Sequence, residues 1–522
     1  MNCSFGNIVS LLSKGIEENK LQEFDYVLLS LDYKGLNIVD DFDIKRKEVF
    51  SDAINEIRSI KNIVDNKLNA TLIIQSIVKS TESIFGNLES HLTATRNQII
   101  NEVNTHLLGM SLDSNTLFFD IEETANKIGL VNWLDHRMYY WAKLPFSADY
   151  SGIYSSKFVN LLVSDKGLSK KALVLDLDNT LWGGVIGDDG LDGIKASMGD
   201  PKGEAFLNFQ EYCKRLKSRG IILAVCSKNS LENAILPFRE NLDMILKEDD
   251  FVVIKANWNN KADNIREIAN EINIGLDSIV FVDDNPAERN LVREFLPEVS
   301  VPEVPLDVSY YPEIISAAGY FESIRFSKDD IKRAEDYSLN KKREALREDS
   351  TDISEYLRSL NMKAEISEVS SSNLTRPVQL MLKTNQFNLS NKRRTEKEIK
   401  KIINDPKFSI LQFRLQDRFA DNGIVSVVVL EKQEDKIILD TWVMSCRVFG
   451  RTLEFYVFNE ILKLSAELQI KKISAEYIKT DKNSLVLDLL KSLSFKRVDG
   501  NKDSSLWELN PLDYSEVTFH ID

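Results

Sequence analysis

Apolar residues fall along this chain in three successive rhythms. Over residues 1–165, short apolar runs (DYVLLSL, ATLIIQSIV, TLFFDI) alternate with longer stretches such as VFSDAINEIRSIKNIV, whose apolar positions recur at helical spacing. That alternation predicts strands joined by helices, the mark of an α/β sheet. From 166 to 310 the rhythm is more regular. ALVLDL, IILAVCS, FVVI and SIVFVDD read as strands, and an intervening helix sets Phe206, Phe209, Cys213 and Leu216 on one face ahead of Gly220. A proline-bearing stretch, VPEVPLDVSYYP, then leads into the charged run SKDDIKRAEDYSLNKKREALRED, which makes 311–360 a helical connector. From 361 to 522, strands IVSVVVL, KIILDTWV and KISAEY flank a helix beginning near Arg451, an α+β pattern. The fold class is therefore α/β multidomain.

Length agrees with that division, since 522 residues exceed what one core of about 100–200 residues organises. Apolar residues at 43% and charged residues at 28% are ordinary for globular domains and leave little room for long disorder. With 66 basic against 81 acidic residues the net charge is −15, which argues against general affinity for nucleic acid or an anionic membrane. An anionic partner would need a local basic patch. The start, MNCSFGNIVSLLSKGIEENK, has no basic segment followed by a sustained apolar run, and no stretch approaches the length that crosses a bilayer. A cytoplasmic enzyme is expected. Cys3, Cys213, Cys226 and Cys446 lie far apart with no CxxC pair, so thiols are expected, not disulfides or a zinc site.

The chemistry gathers at strand ends. ALVLDL runs directly into Asp176-Leu-Asp178-Asn-Thr180, a DxDxT pattern at the carboxyl end of a strand, where open α/β sheets bind ligands. Two acids so spaced can divide labour, one as nucleophile and one as proton carrier. IILAVCS ends in Ser227-Lys228-Asn229, where a hydroxyl and backbone N–H groups can hold phosphate oxygens. Lys261 opens an amphipathic helix, where ammonium and helix dipole both favour an anion; Lys228 and Lys255 rank behind it. IVFVDD ends in Asp283 and Asp284, hard ligands suited to Mg²⁺. Adjacent side chains diverge at a strand end, so Asp283 ranks ahead of Asp284.

In that order these motifs resemble the haloacid dehalogenase superfamily of phosphotransferases. The resemblance implies a Rossmannoid parallel sheet in which Asp176 attacks phosphorus and Asp178 acts as general acid/base and offers its backbone carbonyl to Mg²⁺. Ser227 and Lys261, with Thr180, Lys228 and Asn229 beside them, would hold the phosphoryl group, and Asp283 would complete the metal site. The spacing from Asp176 to Ser227 leaves no space for a large cap. Glycines Gly183 and Gly184 either admit a ligand closely or simply make a turn.

The longer strings LDLDNTLWGGVIGDDGLDGI, VFVDDNPAERN, KTNQFNLSNKRR and LQDRFADNGIVS resemble the FkbH-like family over about 165–500. That likeness implies a phosphatase of subfamily IIIC fused to an acetyltransferase-like domain, making glyceryl-S-acyl carrier protein from 1,3-bisphosphoglycerate. MSCRVFGRTLEF resembles the pyrophosphate loop of GNAT acetyltransferases through Arg447, Gly450 and Arg451, with Thr452 replacing the usual small residue, and Asn483 resembles a later GNAT asparagine. These would contact an acyl or pantetheine group. Cys226 and Cys446 are the candidate acyl-carrying thiols, although strand alternation turns Cys226 away from a site that Ser227 faces. The basic run Lys392-Arg393-Arg394 could steer an acidic carrier protein. Residues 1–165 resemble a flavodoxin-like or SGNH-hydrolase-like α/β domain, but no GDS block is present and Asp135 and His136 are adjacent, so a second active site there is not expected.

Overall fold

The computed structural model describes residues 24–40, 46–68, 70–112, 115–326, 352–514 and 517–522, with isolated positions elsewhere. Most of the charged run expected as a connector helix, and Cys3, lie outside the described residues. The chain divides into two compact units, Met1–Leu161 and Leu162–Asp522.

In the first unit, β1 (Tyr26–Leu29), β2 (Thr71–Gln75) and β3 (Thr116–Phe119) form a parallel sheet in that order. Helix α1 (Arg46–Lys67) connects β1 to β2, and α2 (Arg96–Met110) connects β2 to β3. Ile57, Ile60 and Val64 of α1, and Ile100, Val103 and Leu107 of α2, recur at three- and four-residue spacing and are buried with Leu72 and Ile74 in one core. Asp135 caps the helix His136–Ala142 by accepting from the Met138 N–H at 2.9 Å, and His136 Nε2 lies 3.2 Å from the Thr81 hydroxyl.

The second unit begins with a parallel sheet of β4 (Ala172–Leu175), β5 (Ile222–Ser227), β6 (Val253–Ala256) and β7 (Ile279–Val282), ordered β6-β5-β4-β7. Side-chain alternation divides its core. Leu173, Leu175, Leu223 and Val225 pack under Phe209 and Cys213 of α3 (Pro201–Ser218), while Val174, Ala224, Cys226 and Phe281 pack under Ile265 and Ile268 of α4 (Lys261–Glu271). Between Asp178 and the start of β5 at Ile222 lie only turns, the short helix Ile186–Gly193 and α3. Gly183 and Gly184 make a turn, the second at φ +93°; a Cβ on either would fall within 2.8 Å of Phe206 or Asp189.

The same unit continues into a seven-stranded sheet, ordered β13-β14-β12-β11-β10-β9-β8, built from β8 (Lys363–Glu368), β9 (Phe408–Gln416), β10 (Asp421–Lys432), β11 (Lys436–Met444), β12 (Lys472–Ile478), β13 (Lys496–Gly500) and β14 (Ser504–Leu509). Helix α5 (Thr375–Lys383) precedes β9, and α6 (Leu453–Glu467) connects β11 to β12. Parallel strands β11 and β12 pair only from Lys436–Leu439 to Lys472–Ala475. Past that point they are bridged by Phe387–Leu389. Leu389 N–H donates to the Trp442 carbonyl (3.0 Å), Met444 N–H to Phe387 (3.1 Å) and Ile478 N–H to Leu389 (3.2 Å). The segment NQFNLS is thus a wedge that satisfies strand edges which would otherwise be left unpaired.

Candidate active site

Each polar group of the site stands where an apolar strand stops. Asp176 follows β4, Ser227 ends β5, and Asp283 and Asp284 follow β7, all at the carboxyl end of the parallel sheet. Lys261 is the first residue of α4, whose cap Asn260 accepts from the Ala262 N–H (2.8 Å). Carboxylate oxygens of Asp176, Asp283 and Asp284 all lie within 4.8 Å of one another. The Lys261 ammonium, 3% exposed, meets two of them, at 2.9 Å from Asp176 and 2.6 Å from Asp283.

Burial raises Asp283 and Asp284 to about 6, with repulsion from Asp176 adding to it. Burial acts to lower the Lys261 pKa, but the charges of Asp176 and Asp283 outweigh it and hold the ammonium protonated. When ionised, three carboxylates facing one ammonium leave an excess of two negative charges in a largely buried pocket, a costly arrangement without a counter-ion. The donor set, hard oxygens in close array with an excess of two charges, fits a hard divalent cation.

Asp178 is held separately. Its Oδ1 accepts from the Trp182 indole (2.8 Å) and the Ile186 N–H (3.0 Å), and its Oδ2 from the Asn229 amide (3.0 Å). Burial raises its pKa despite those donors. A carboxyl so placed can carry a proton. The turn between them is shaped by Asn179 at φ +56°, whose side chain accepts from the Gly184 N–H (2.9 Å).

Several expectations change with these contacts. Asn229, expected beside phosphate, spends its amide on Asp178. Thr180 is fully buried, and its hydroxyl accepts from the Asp284 N–H at 3.2 Å, fixing the loop after β7. Lys228 pairs with Glu288 (2.6 Å), and Lys255 pairs with Glu267 and Glu271, so Lys261 is the cation that meets the carboxylates. Ser227 is buried at its strand tip. Cys226 is buried in the core on the α4 side of the sheet, where burial pushes its thiol up to about 12. Sequence reasoning missed Arg289, whose guanidinium donates to the carbonyls of Asp283 (2.9 Å) and Asp284 (2.8 Å) and pins the loop after β7. The string DDNPAER carries it, one helical turn past the Asn285 cap.

In the C-terminal sheet the groups expected to take an acyl or pantetheine ligand bond within the domain. Arg451 donates to Asp417 (2.8 Å), which Arg343 also holds, and to the Arg447 carbonyl (2.7 Å). Arg447 bonds Ser445 (3.3 Å). Asn483 donates to the carbonyls of Asn388 (2.9 Å) and Ile478 (2.8 Å) and accepts from the Thr480 N–H (2.8 Å) and the Tyr477 hydroxyl (2.9 Å). Gly450 at φ +72° and Thr452 at φ +60° form the turn into α6. Buried guanidinium and amide groups require such partners, so here these residues build the fold. The basic run is absorbed likewise. Lys392 and Arg394 pair with the buried Asp440, while Arg393 bonds Asn385 and the Leu382 carbonyl, so much of the run's hydrogen bonding is spent within the domain. Cys446, in contrast, is partly exposed.

No protein-family model and no curated protein sequence matches the chain. Among solved structures, the N-terminal part of BF1531 from Bacteroides fragilis, containing a phosphatase domain complexed with Mg, aligns at 34% identity and TM-score 0.57, covering 62% of this chain and 86% of that one. The ribosomal-protein-S18-alanine N-acetyltransferase of Escherichia coli (12% identity, TM-score 0.24) covers 30% of this chain and 99% of its own. The putative acetyltransferase yncA of Salmonella typhimurium (11%, 0.23) covers 29% and 96%. On the extent and identity of the first match, the chain belongs to the family of phosphatase-domain proteins represented by BF1531.

Proposed function

We propose that the chain is a Mg²⁺-dependent phosphatase of haloacid dehalogenase type, with Asp176 as nucleophile, acting on small phosphorylated substrates at an uncapped cleft. The observation that carries this reading is Lys261, buried between Asp176 and Asp283 within a carboxylate cluster that matches a divalent cation. A carboxylate oxygen of Asp176 attacks phosphorus, and the bond to the leaving oxygen breaks as Asp178 gives that oxygen its proton. Asp178 then takes a proton from water, which attacks the phosphoryl-aspartate and releases phosphate and the Asp176 carboxylate. Lys261 and Ser227 hold the non-bridging oxygens throughout, and Arg289 keeps the Asp283–Asp284 loop in place. Asp176, Asp283 and the Asp178 carbonyl, with Asp284 alongside, would hold Mg²⁺, which would supply charge neutralisation for the phosphoryl oxygens.

Replacing Asp176 with Asn is expected to abolish Mg²⁺-dependent phosphate release from p-nitrophenyl phosphate while leaving the melting temperature near wild type. Turnover that survives would sink the assignment.

A second reading adds transfer. The FkbH-like strings around Asp176 and in the C-terminal domain, which shares one compact unit with the phosphatase sheet, favour 1,3-bisphosphoglycerate as substrate and a carrier-protein thiol as acceptor. The thiol would displace the acyl phosphate at C1, and water at the Asp176 site would remove the C3 phosphate. One glyceryl thioester and two phosphates would result. Intact mass of a phosphopantetheinyl carrier protein after incubation with the enzyme, Mg²⁺ and 1,3-bisphosphoglycerate tests it. An unmodified carrier with phosphate released leaves the phosphatase alone.

A further inference from the structure

We propose that the cavity at the seam between the phosphatase sheet and the C-terminal domain is a second ligand site, taking a small organic anion that bears a carboxylate or phosphate together with hydrogen-bonding groups. It opens among residues that precede β4 and β7, such as Lys171 and Ser278, and among α5, the wedge and the turn after β11. That is the amino end of the parallel strands. Asp176 lies at the other end of β4, roughly 16 Å of strand away, so an anion here is not the phosphoryl group under attack.

Three observations point to a ligand. Among the described residues the lining carries five cationic side chains, Lys171, Arg376, Lys383, Arg447 and Lys482, and one carboxylate, Asp277, which pairs with Lys482; Lys171, Arg376 and Arg447 also hold partners in the fold, the carbonyls of Lys383 and Ile424 and the Ser445 hydroxyl. In a chain of net charge −15 this is a local gathering of basic groups, a composition suited to an anion. Second, Gln379 of α5 lines the cavity at 4% exposure, and neither its amide nitrogen nor its amide oxygen has a partner. A buried amide with donor and acceptor both unmet is destabilising until something with the complementary pair arrives. Third, the cavity, about 100 Å³, has room for the anionic end of a small molecule, and Phe387 and Phe449 give it an apolar wall. Both domains contribute groups, so a bound anion would tie them together.

Cys446 provides the reporter. It lines the cavity and is partly exposed, whereas Cys213 and Cys226 are buried. The rate of Cys446 alkylation by iodoacetamide, followed by peptide mass spectrometry on the full chain, is measured with 3-phosphoglycerate, glycerate, inorganic phosphate or glycerol. At ten times its dissociation constant, 3-phosphoglycerate is expected to slow alkylation about tenfold, with no effect from glycerol. Comparing glycerate with inorganic phosphate then tells which anionic group is read. Gln379→Leu and Lys383→Gln are each expected to remove the protection, and Gln379→Leu to melt no lower than wild type because it deletes an unmet polar group. Unchanged alkylation with all three anions would overturn the proposal. So would a marked drop in melting temperature for Gln379→Leu, which would mean that water or protein already satisfies the amide. The readout is protection of a thiol, not turnover, so either failure leaves the phosphatase assignment standing.

Discussion

Asp178 is tuned by opposing influences: burial favours its protonated form, while the Trp182 indole and the Ile186 N–H favour its ionised form. Trp182→Phe removes one of those donors with little change in shape. The pKa of Asp178 is then expected to rise, moving the corresponding limb of the kcat–pH profile to higher pH. A limb that stays in place would mean another group carries the proton. Asp283 and Asp284 make a different prediction. Both sit at about 6 in the metal-free protein, and a cation requires them ionised, so Mg²⁺ affinity measured by calorimetry should be level above pH 6 and fall as pH drops through it, with protons released on binding. At this scale the sequence was most informative where a side chain is placed by its own strand. Asp176, Ser227 and Asp283 could be found because each ends an apolar run, and Lys261 because it opens a helix. The partners of Asp178 and the grip of Arg289 on two carbonyls depend on loops meeting across the fold, and neither periodicity nor motif spacing encodes that.

Elements were legible to the extent that their pattern is local. The continuous apolar runs ALVLDL and IILAVCS predict buried strands, and those strands divide their side chains between two cores as the pleat requires. The wedge was not legible as an element, because NQFNLS has neither helical nor strand periodicity, its crowded amides pointing only to hydrogen bonding. Its amides turn out to serve the fold: Asn388 donates to the Thr384 carbonyl, and Asn483 reaches the carbonyl of Asn388. Asn483 has no exposed surface and makes four hydrogen bonds from its side chain, so Asn483→Ala should destabilise the chain by about 2–4 kcal/mol in denaturant unfolding. A loss below about 0.5 kcal/mol would show that water replaces it readily.

Across the whole molecule, hydrophobic rhythm placed a boundary at residue 165, and the compact units divide after Leu161. The later change of rhythm, from α/β to α+β, does not separate units, because the C-terminal domain packs tightly on the base of the phosphatase sheet. Gly167 at φ +70° shows how tightly: a Cβ there would fall 2.8 Å from the Leu382 carbonyl oxygen. Gly167→Ala is therefore expected to cost about 1–3 kcal/mol and lower the melting temperature by several degrees. Asp277→Asn, which breaks the half-exposed Lys482 pair across the same seam, should cost less than about 1 kcal/mol. The reverse order would mean that charge, not packing, holds the seam. The wedge also has a consequence in time. Phe387–Leu389 leaves the ribosome well before β11, and β12 follows only after α6, so the segment must wait for both strands it joins. A chain halted in that interval presents open backbone edges, the kind of surface that recruits chaperones or neighbouring chains. Yield on expression should accordingly depend on elongation through residues 440–480 more than on the stability of the finished protein.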